Sequence, residues 1–410
     1  NNQLTNLNFS NNTALTYLDC SANQLTNLNV SNNSDLNELY CSGNQLTSLN
    51  VNGAISLYNL VCYSNLLTSL DVSSNPALFN LECLYNQLTN LNVNGATALY
   101  YLNCSYNQLT SLDVSSNTAL TILCCNDNQL TNLNVNGSTA LTSLVCNNNQ
   151  LTSLNVANNT ALGGLDCNSN QLSSLNVSNN IALIGLSCNS NQLTSLNISN
   201  NTALTKLECN NNQLTNLDVS NNTVLKELEC GNNQLTSLNV SNNTALITLR
   251  CLINQLTSLN VSNNTALWEL DCRYNQLTNL FIKNNIYETY LYFSNNPNLS
   301  YICADEWQLA DVQTKINSYG YATTCHVNSY CSFVPGGAFY TIQGTNTFDG
   351  NNNGCEATDG VYPNQKFTLT DGSVSGSLIA NTSGNYAIPV QAGTHTITPV
   401  LENPSYFNVS

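Results

Sequence analysis

Apolar residues recur along this chain in two interleaved half-phrases that together close every 21 residues. In LTKLECNNNQLTNLDVSNNT, the first half offers Leu204, Leu207 and Cys209 and the second Leu214, Leu217 and Val219. Both halves read L-x-x-L-x-(C/V)-x-x-N. The L-x-C and L-x-V stretches alternate apolar and polar, which is the period of a strand. The Asn after each stretch stands where the chain turns inward, and its amide can satisfy turn backbone that would otherwise be buried unpaired. Each coil is therefore expected to carry two short strands on opposite sides, with almost no room for a helix. Thirteen cysteines, from Cys20 to Cys272, keep the 21-residue spacing without a slip. A fixed period this short means one unit stacked on copies of itself, a solenoid.

After Cys272 the phrase decays, with Phe293 where the next Cys would fall. DEWQLADVQTKINSYG then predicts a helix over about 305–319. Leu309, Val312, Ile316 and Tyr319 recur at helical spacing, Asp305 can cap the start and Gly320 can end it. Laid across the open end of the solenoid, it would cover exposed core. From Gly336 the texture changes to alternating strands with Gly turns, as in FYTIQGTNTF, QKFTLTDG, GNYAIPV and THTITPV. This reads as a small β-sandwich. The expected organisation is all-β dominated: a solenoid over 1–298, a cap over 299–335 and a β-module over 336–410, cut short at Ser410. The chain opens mid-phrase, so further repeats before Asn1, or trimming, are expected.

Composition narrows the function. The chain has 410 residues, a net charge of −16 and only 7 Lys or Arg. A chain so poor in cations cannot neutralise phosphates, which argues against nucleic acid and anionic membranes. No apolar run approaches the ~20 residues that span a bilayer. The ladder cysteines take the inward place that Val takes in the other half, so they are expected to be reduced core thiols. A ladder spreads thiols along a line, whereas a metal needs them to converge. Cys303, Cys325, Cys331 and Cys355 fall outside the ladder, and disulfides are expected there. Pairing Cys303 with Cys325 would leave Cys331 for Cys355, one of three connectivities.

L-x-x-L-x-C-x-x-N-Q-L resembles a bacterial leucine-rich repeat, more narrowly the short 21-residue class of nested halves, over about Asn1 to Asn298. QKFTLTDGS and NTSGNYAIPV resemble the transthyretin-like or collagen-adhesin B-type modules of bacterial surface proteins. Together they resemble secreted Bacteroidota proteins exported by the type IX route, whose sorting segment would lie beyond Ser410. The resemblance implies an extracellular or outer-surface protein that engages secretion and anchoring machinery through that missing segment.

The copies can also be compared with one another. Outward positions of the Val half barely change: Asn29, Asn50, Asp71, Asn92, Asp113, Asn134. Those around the Cys strand vary, which makes that face the candidate for recognising a protein or glycan. Its first half is aromatic, with Tyr17, Tyr40, Tyr58, Phe79, Tyr100 and Tyr101, and with Tyr63, Tyr85 and Tyr106 just after the strands. Its last coils are charged and mixed, with Arg250, Trp268 and Arg273 as binding candidates. Tyr and Trp supply rigid contact area suited to either partner. A structural stalk is the alternative, and an ice-binding lattice on the Asn/Thr face a minor one. Asp349, Asn351 and Asn353 place oxygens at alternate positions before Gly354, as calcium loops begin, with Asp359 or Glu356 to complete the shell. Adhesin modules of the resembled kind often carry such a loop. The two histidines, His326 and His395, suggest no catalytic pairing, and Glu227 with Glu229 lies on an open strand rather than in a cleft. No enzyme is expected.

Overall fold

The computed structural model describes residues 2–9, 12–331, 340–351, 354, 356 and 358–401. They divide into two compact units, Asn1–Leu214 and Thr215–Ser410.

In the first unit the cysteine side is a continuous ladder of three-residue parallel strands, from Tyr17–Asp19 through Asn59–Val61 and Asn80–Glu82 to Lys206–Glu208. Equivalent residues pair one coil apart, as Leu60 with Leu81. In-register stacking aims every central Leu and every ladder Cys inward. Leu60, Leu81, Cys62 and Cys83 are fully buried, as the alternation predicts. The inward Asn closes each turn. Asn65 donates to Cys41 O at 3.0 Å and Cys62 O at 3.1 Å, while its Oδ1 accepts from Leu46 N at 3.0 Å. One buried amide thus satisfies backbone in two successive coils, the role read from its position.

The Val side departs from expectation. Strands form there only in pairs: Asn27–Asn29 with Ser48–Asn50, Ser69–Asp71 with Asn90–Asn92, and Ser111–Asp113 with Asn132–Asn134. Beyond them lie isolated bridges, Asn155 to Asn176 and Asn176 to Asn197. The reason lies in the next turn, which alternates with a period of 42 residues. Asn33, Asn75 and Asn117 stand in one coil, and Ala54, Ala96 and Ser138 in the next, each after a Gly. A Cβ on Gly53 would lie 1.7 Å from Ser31 O, so only glycine lets that coil settle onto its predecessor. The Asn of this row joins coils in both settings: Asn75 donates to Val51 O at 2.9 Å and Ala54 O at 2.8 Å, and Asn180 to Val156 O at 2.9 Å and Asn159 O at 2.8 Å.

The second unit continues both patterns within itself. Cysteine-side strands run Glu227–Glu229, Thr248–Arg250, Glu269–Asp271 and Tyr290–Tyr292. Val-side strands run Ser258–Asn260, Asn279–Phe281 and Tyr301–Cys303, and His326–Asn328 adds a last parallel rung. Between those two rungs a 3-10 turn, Glu306–Gln308, leads into the helix Leu309–Ser318, with Leu309, Val312 and Ile316 buried. Gly320 follows at φ +83°, ending it as predicted.

The module grows from that last rung. Asn328 pairs antiparallel with Leu378 in Ser375–Ile379, which pairs with Lys366–Thr370 and through it with Thr396–Pro399. A second antiparallel pair, Tyr340–Thr345 with Asn385–Val390, shares the core of Tyr330, Phe367, Leu369, Leu378 and Ile388. A Cβ on Gly376 would lie 2.5 Å from Tyr330 Cα, so glycine is required where module and rung meet.

The disulfide pairing needs correction. Cys303 is bonded to Cys331, with Cα atoms 5.6 Å apart, and not to Cys325. Cys325 is a buried free thiol, pushed up by desolvation. The rung His326–Asn328 sits beside Tyr301–Cys303 and returns the chain so that Cys331, not Cys325, faces Cys303. Cys355 lies outside the described residues.

Candidate recognition face on the cysteine side

Parallel register fixes the aromatic geometry of the first unit. Tyr58, Phe79 and Tyr100 each precede a cysteine-side strand, one coil apart. Their rings stack at 4.9 and 4.8 Å with interplanar angles of 6° and 2°. These spacings match the separation of neighbouring strands. After the strands, Tyr85 and Tyr106 stack at 4.4 Å. Tyr17 leans on Tyr40 at 5.7 Å, and Tyr17, Tyr58 and Tyr100 are exposed. Tyr40 and Tyr101 are half-buried, less available than their sequence position implies. Tyr40 OH donates to Glu38 at 2.8 Å and accepts from Asn59 Nδ2 at 2.8 Å, and the Glu38 contact raises the phenol's pKa. Asn80 donates to Asn59 Oδ1 at 2.7 Å, so the polar strip between the aromatic rows is itself ordered.

Tyr85 and Tyr106, like Ile253 and Tyr274, are bulky residues at a position of left-handed backbone. The residue two after each ladder Cys has φ near +50°: Ala22 +53°, Ser64 +53°, Tyr85 +52°, Tyr106 +54°, Asn148 +54°. Gly43 takes the same place at φ +63°. Bulky residues are unfavourable in this left-handed region, whereas Gly and Asn tolerate it. By sequence both tyrosines fall just after the strands and are not among the binding candidates. The signal was Tyr at a position where Ser, Asn or Gly elsewhere suffices.

In the second unit the basic candidates are already paired. Arg250 forms a bidentate pair with Glu269, at 2.8 and 2.9 Å, and also donates to Glu229; these carboxylates raise its pKa. Arg273 pairs with Asp271 at 2.9 and 2.6 Å and lies over the Tyr292 ring at 5.1 Å. Trp268 is exposed and packs edge-on against Tyr290 at 4.6 Å. Glu229, one of the two acids on that strand, is thus part of an ion pair.

Ladder thiols are held protonated by burial, Cys62, Cys104, Cys188 and Cys230 each pushed up to about 12. Cys124 is half-buried and raised for the same reason. On the Val side, Asn92 and Asn134 donate to Asp71 and Asp113, both at 3.1 Å. These two amides are engaged with the coil before them. In the module loop, Asp349 Oδ2 accepts from Gly354 N at 2.9 Å and Asp359 Oδ2 from Glu356 N at 2.8 Å. Asn351 is exposed, and Asn353 lies outside the described residues.

These features define a leucine-rich-repeat β-solenoid with a cysteine ladder. Among solved structures, the chain is similar to the functional domain of InlJ from Listeria monocytogenes, described as including a cysteine ladder, at 28% identity and a TM-score of 0.64, covering 93% of this chain and 87% of that one. It is similar in fold to a Leptospira interrogans leucine-rich repeat protein, at 21% identity and a TM-score of 0.54, covering 79% of this chain and 99% of that one. It is likewise similar to YopM, a leucine-rich effector protein from Yersinia pestis, at 22% identity and 0.52, covering 72% and 90%. The chain matches no protein-family profile and no curated protein sequence.

Proposed function

We propose that this chain is a non-catalytic binding or adhesion protein displayed outside the cell, recognising a protein or glycan through its cysteine-side face. One observation carries the reading. Outward residues on that side change from coil to coil, whereas those on the Val side repeat Asn or Asp and hydrogen-bond their own turns, as Asp113 Oδ1 does with Ser115 N. A face that varies within a fixed frame is free to encode a partner. The Cys303–Cys331 bond supports an oxidising compartment. The module serves as a spacer toward an anchoring or sorting segment, in keeping with its resemblance to type IX cargo, and Asp349, Asn351, Asn353 and Asp359 are its candidate calcium ligands. A stalk without a dedicated partner is the second reading. It is favoured by the main-chain pairing of Asn328 with Leu378, which makes the module a stiff extension of the last rung. Arrays of extracellular proteins and glycans probed with the intact chain separate the two. A binder gives a saturable signal on some features, and a stalk gives none.

A further inference from the structure

We infer that the cysteine-side face of the first unit takes a basic, extended segment of polypeptide; this rests on the reading of that face as the recognition surface. Charge is the first reason. Residues 1–205 contain eight Asp or Glu and no Lys, Arg or His. Among them, Glu38, Glu82 and Asp127 lie on this face, and the bonds to them come from neutral donors: Tyr40 OH at 2.8 Å, Asn80 Nδ2 at 3.4 Å and Asn148 Nδ2 at 3.0 Å. Their charges await a cation from outside.

Ring orientation is the second reason. Rings stacked along a ladder have their planes across it, so edges rather than faces point outward. Phe79 has both faces covered, and Tyr58 and Tyr100 one each. A sugar that stacks on an aromatic needs an outward face, which these rows do not give. Ring edges and phenol hydroxyls instead suit the apolar stem of Lys or Arg, whose charged end can reach the neighbouring carboxylates.

Backbone cost is the third. Holding Tyr85 and Tyr106 in left-handed conformation is unfavourable relative to a residue suited to it, as it is for Ile253 and Tyr274 in the second unit. Folding does not need this, since Gly43 and Asn148 fill the same place in other coils. The polar strip between the rows is as wide as one short strand, about 10 Å, which admits an extended segment.

The test uses the full chain and a labelled oligolysine peptide, with a neutral N-acetylglucosamine oligomer as the second probe. Three double variants are compared: Glu38→Gln with Glu82→Gln, Tyr85→Asn with Tyr106→Asn, and, on the Val side, Asp71→Asn with Asp113→Asn. The expected result is saturable oligolysine binding that weakens with salt. It falls about tenfold in each of the first two variants and stays within about twofold in the third. Equal loss in the two carboxylate variants, with the tyrosine variant unchanged, would reduce the effect to bulk charge and overturn the inference, and equal loss in all three would overturn it as well. Absence of saturable oligolysine binding would overturn it too, leaving the recognition face to be judged by the arrays. Saturable binding of the neutral oligomer, lost in the tyrosine variant, would keep the face and replace the partner with a glycan.

Discussion

At the scale of the residue, the inward Asn shows how one side chain is given different duties on the two sides of a coil. Asn107 donates to Cys83 O at 3.0 Å and Cys104 O at 3.1 Å and accepts from Leu88 N at 2.9 Å. Asn117 donates to Val93 O and Ala96 O, but its Oδ1 meets no hydrogen-bond partner among the described residues. The chain replaces the second kind itself, with Ala54 and Ala96, and never the first between Asn23 and Asn296. Leaving a buried group unpaired costs about 1–3 kcal/mol. Asn107→Ala is therefore expected to destabilise by about 3 kcal/mol or more, and Asn117→Ala by about 1 kcal/mol. Urea unfolding of both variants checks the order, and equal losses would mean that the two rows do the same work. The position of these residues was legible from the repeat. Their unequal roles were not, because the repeated letter is the same and only the acceptor side differs.

At the scale of the element, the alternation of Leu with Cys gave the cysteine-side strands and the spacing of Leu309, Val312 and Ile316 gave the helix. Two strands per coil was too regular an expectation. In the first unit, pairing on the Val side goes with Gly53 and its equivalents, which act through space rather than along the chain, whereas Ser258–Asn260 and Asn279–Phe281 pair in the second unit without a glycine. The disulfide failed to show in the sequence for a similar reason. Cys325 is nearer to Cys303 in sequence, but the rung His326–Asn328 must pass before the chain faces it. The module loop carries its own prediction. If Asp349, Asn351, Asn353 and Asp359 hold calcium, chelator lowers the melting temperature of the module transition alone. The expected change is about 2.7 kcal/mol when free calcium is roughly 100 times the dissociation constant. Asp349→Ala then reproduces the effect and removes further sensitivity; calorimetry unchanged in both experiments would leave the loop a hairpin connection.

At the scale of the whole molecule, the acidic balance and the buried thiols set how the chain responds to its medium. Folding raises the pKa of the ladder thiols, Cys62 and Cys104 to about 12, so the native state holds its protons longer than the unfolded chain does. The resulting stability is complete below the ordinary thiol pKa of about 8.5 and is lost as pH rises toward 12. Each thiol contributes a slope of about 1.4 kcal/mol per pH unit in that window. Urea midpoints are expected to fall steeply with alkaline pH. Thiol titration of the denatured, unreduced chain is expected to find at least the thirteen ladder cysteines. Finding nearly all of them oxidised would contradict the core ladder.

Whether recognition belongs to the cysteine side is decided by one comparison on the partner found by the arrays. Tyr58, Phe79 and Tyr100 are replaced together by Ser in one variant, and Asn50 and Asn92 by Ser in another. The rings stack on one another outside the core, Tyr58 and Tyr100 exposed and Phe79 half-buried between them, while aromatics at an interface often dominate affinity. The predicted result is a loss of affinity of about tenfold or more in the first variant, with its melting temperature little changed, and full affinity in the second. Equal loss in both, or loss in the second alone, would place the partner on the wrong side of the coil for this account.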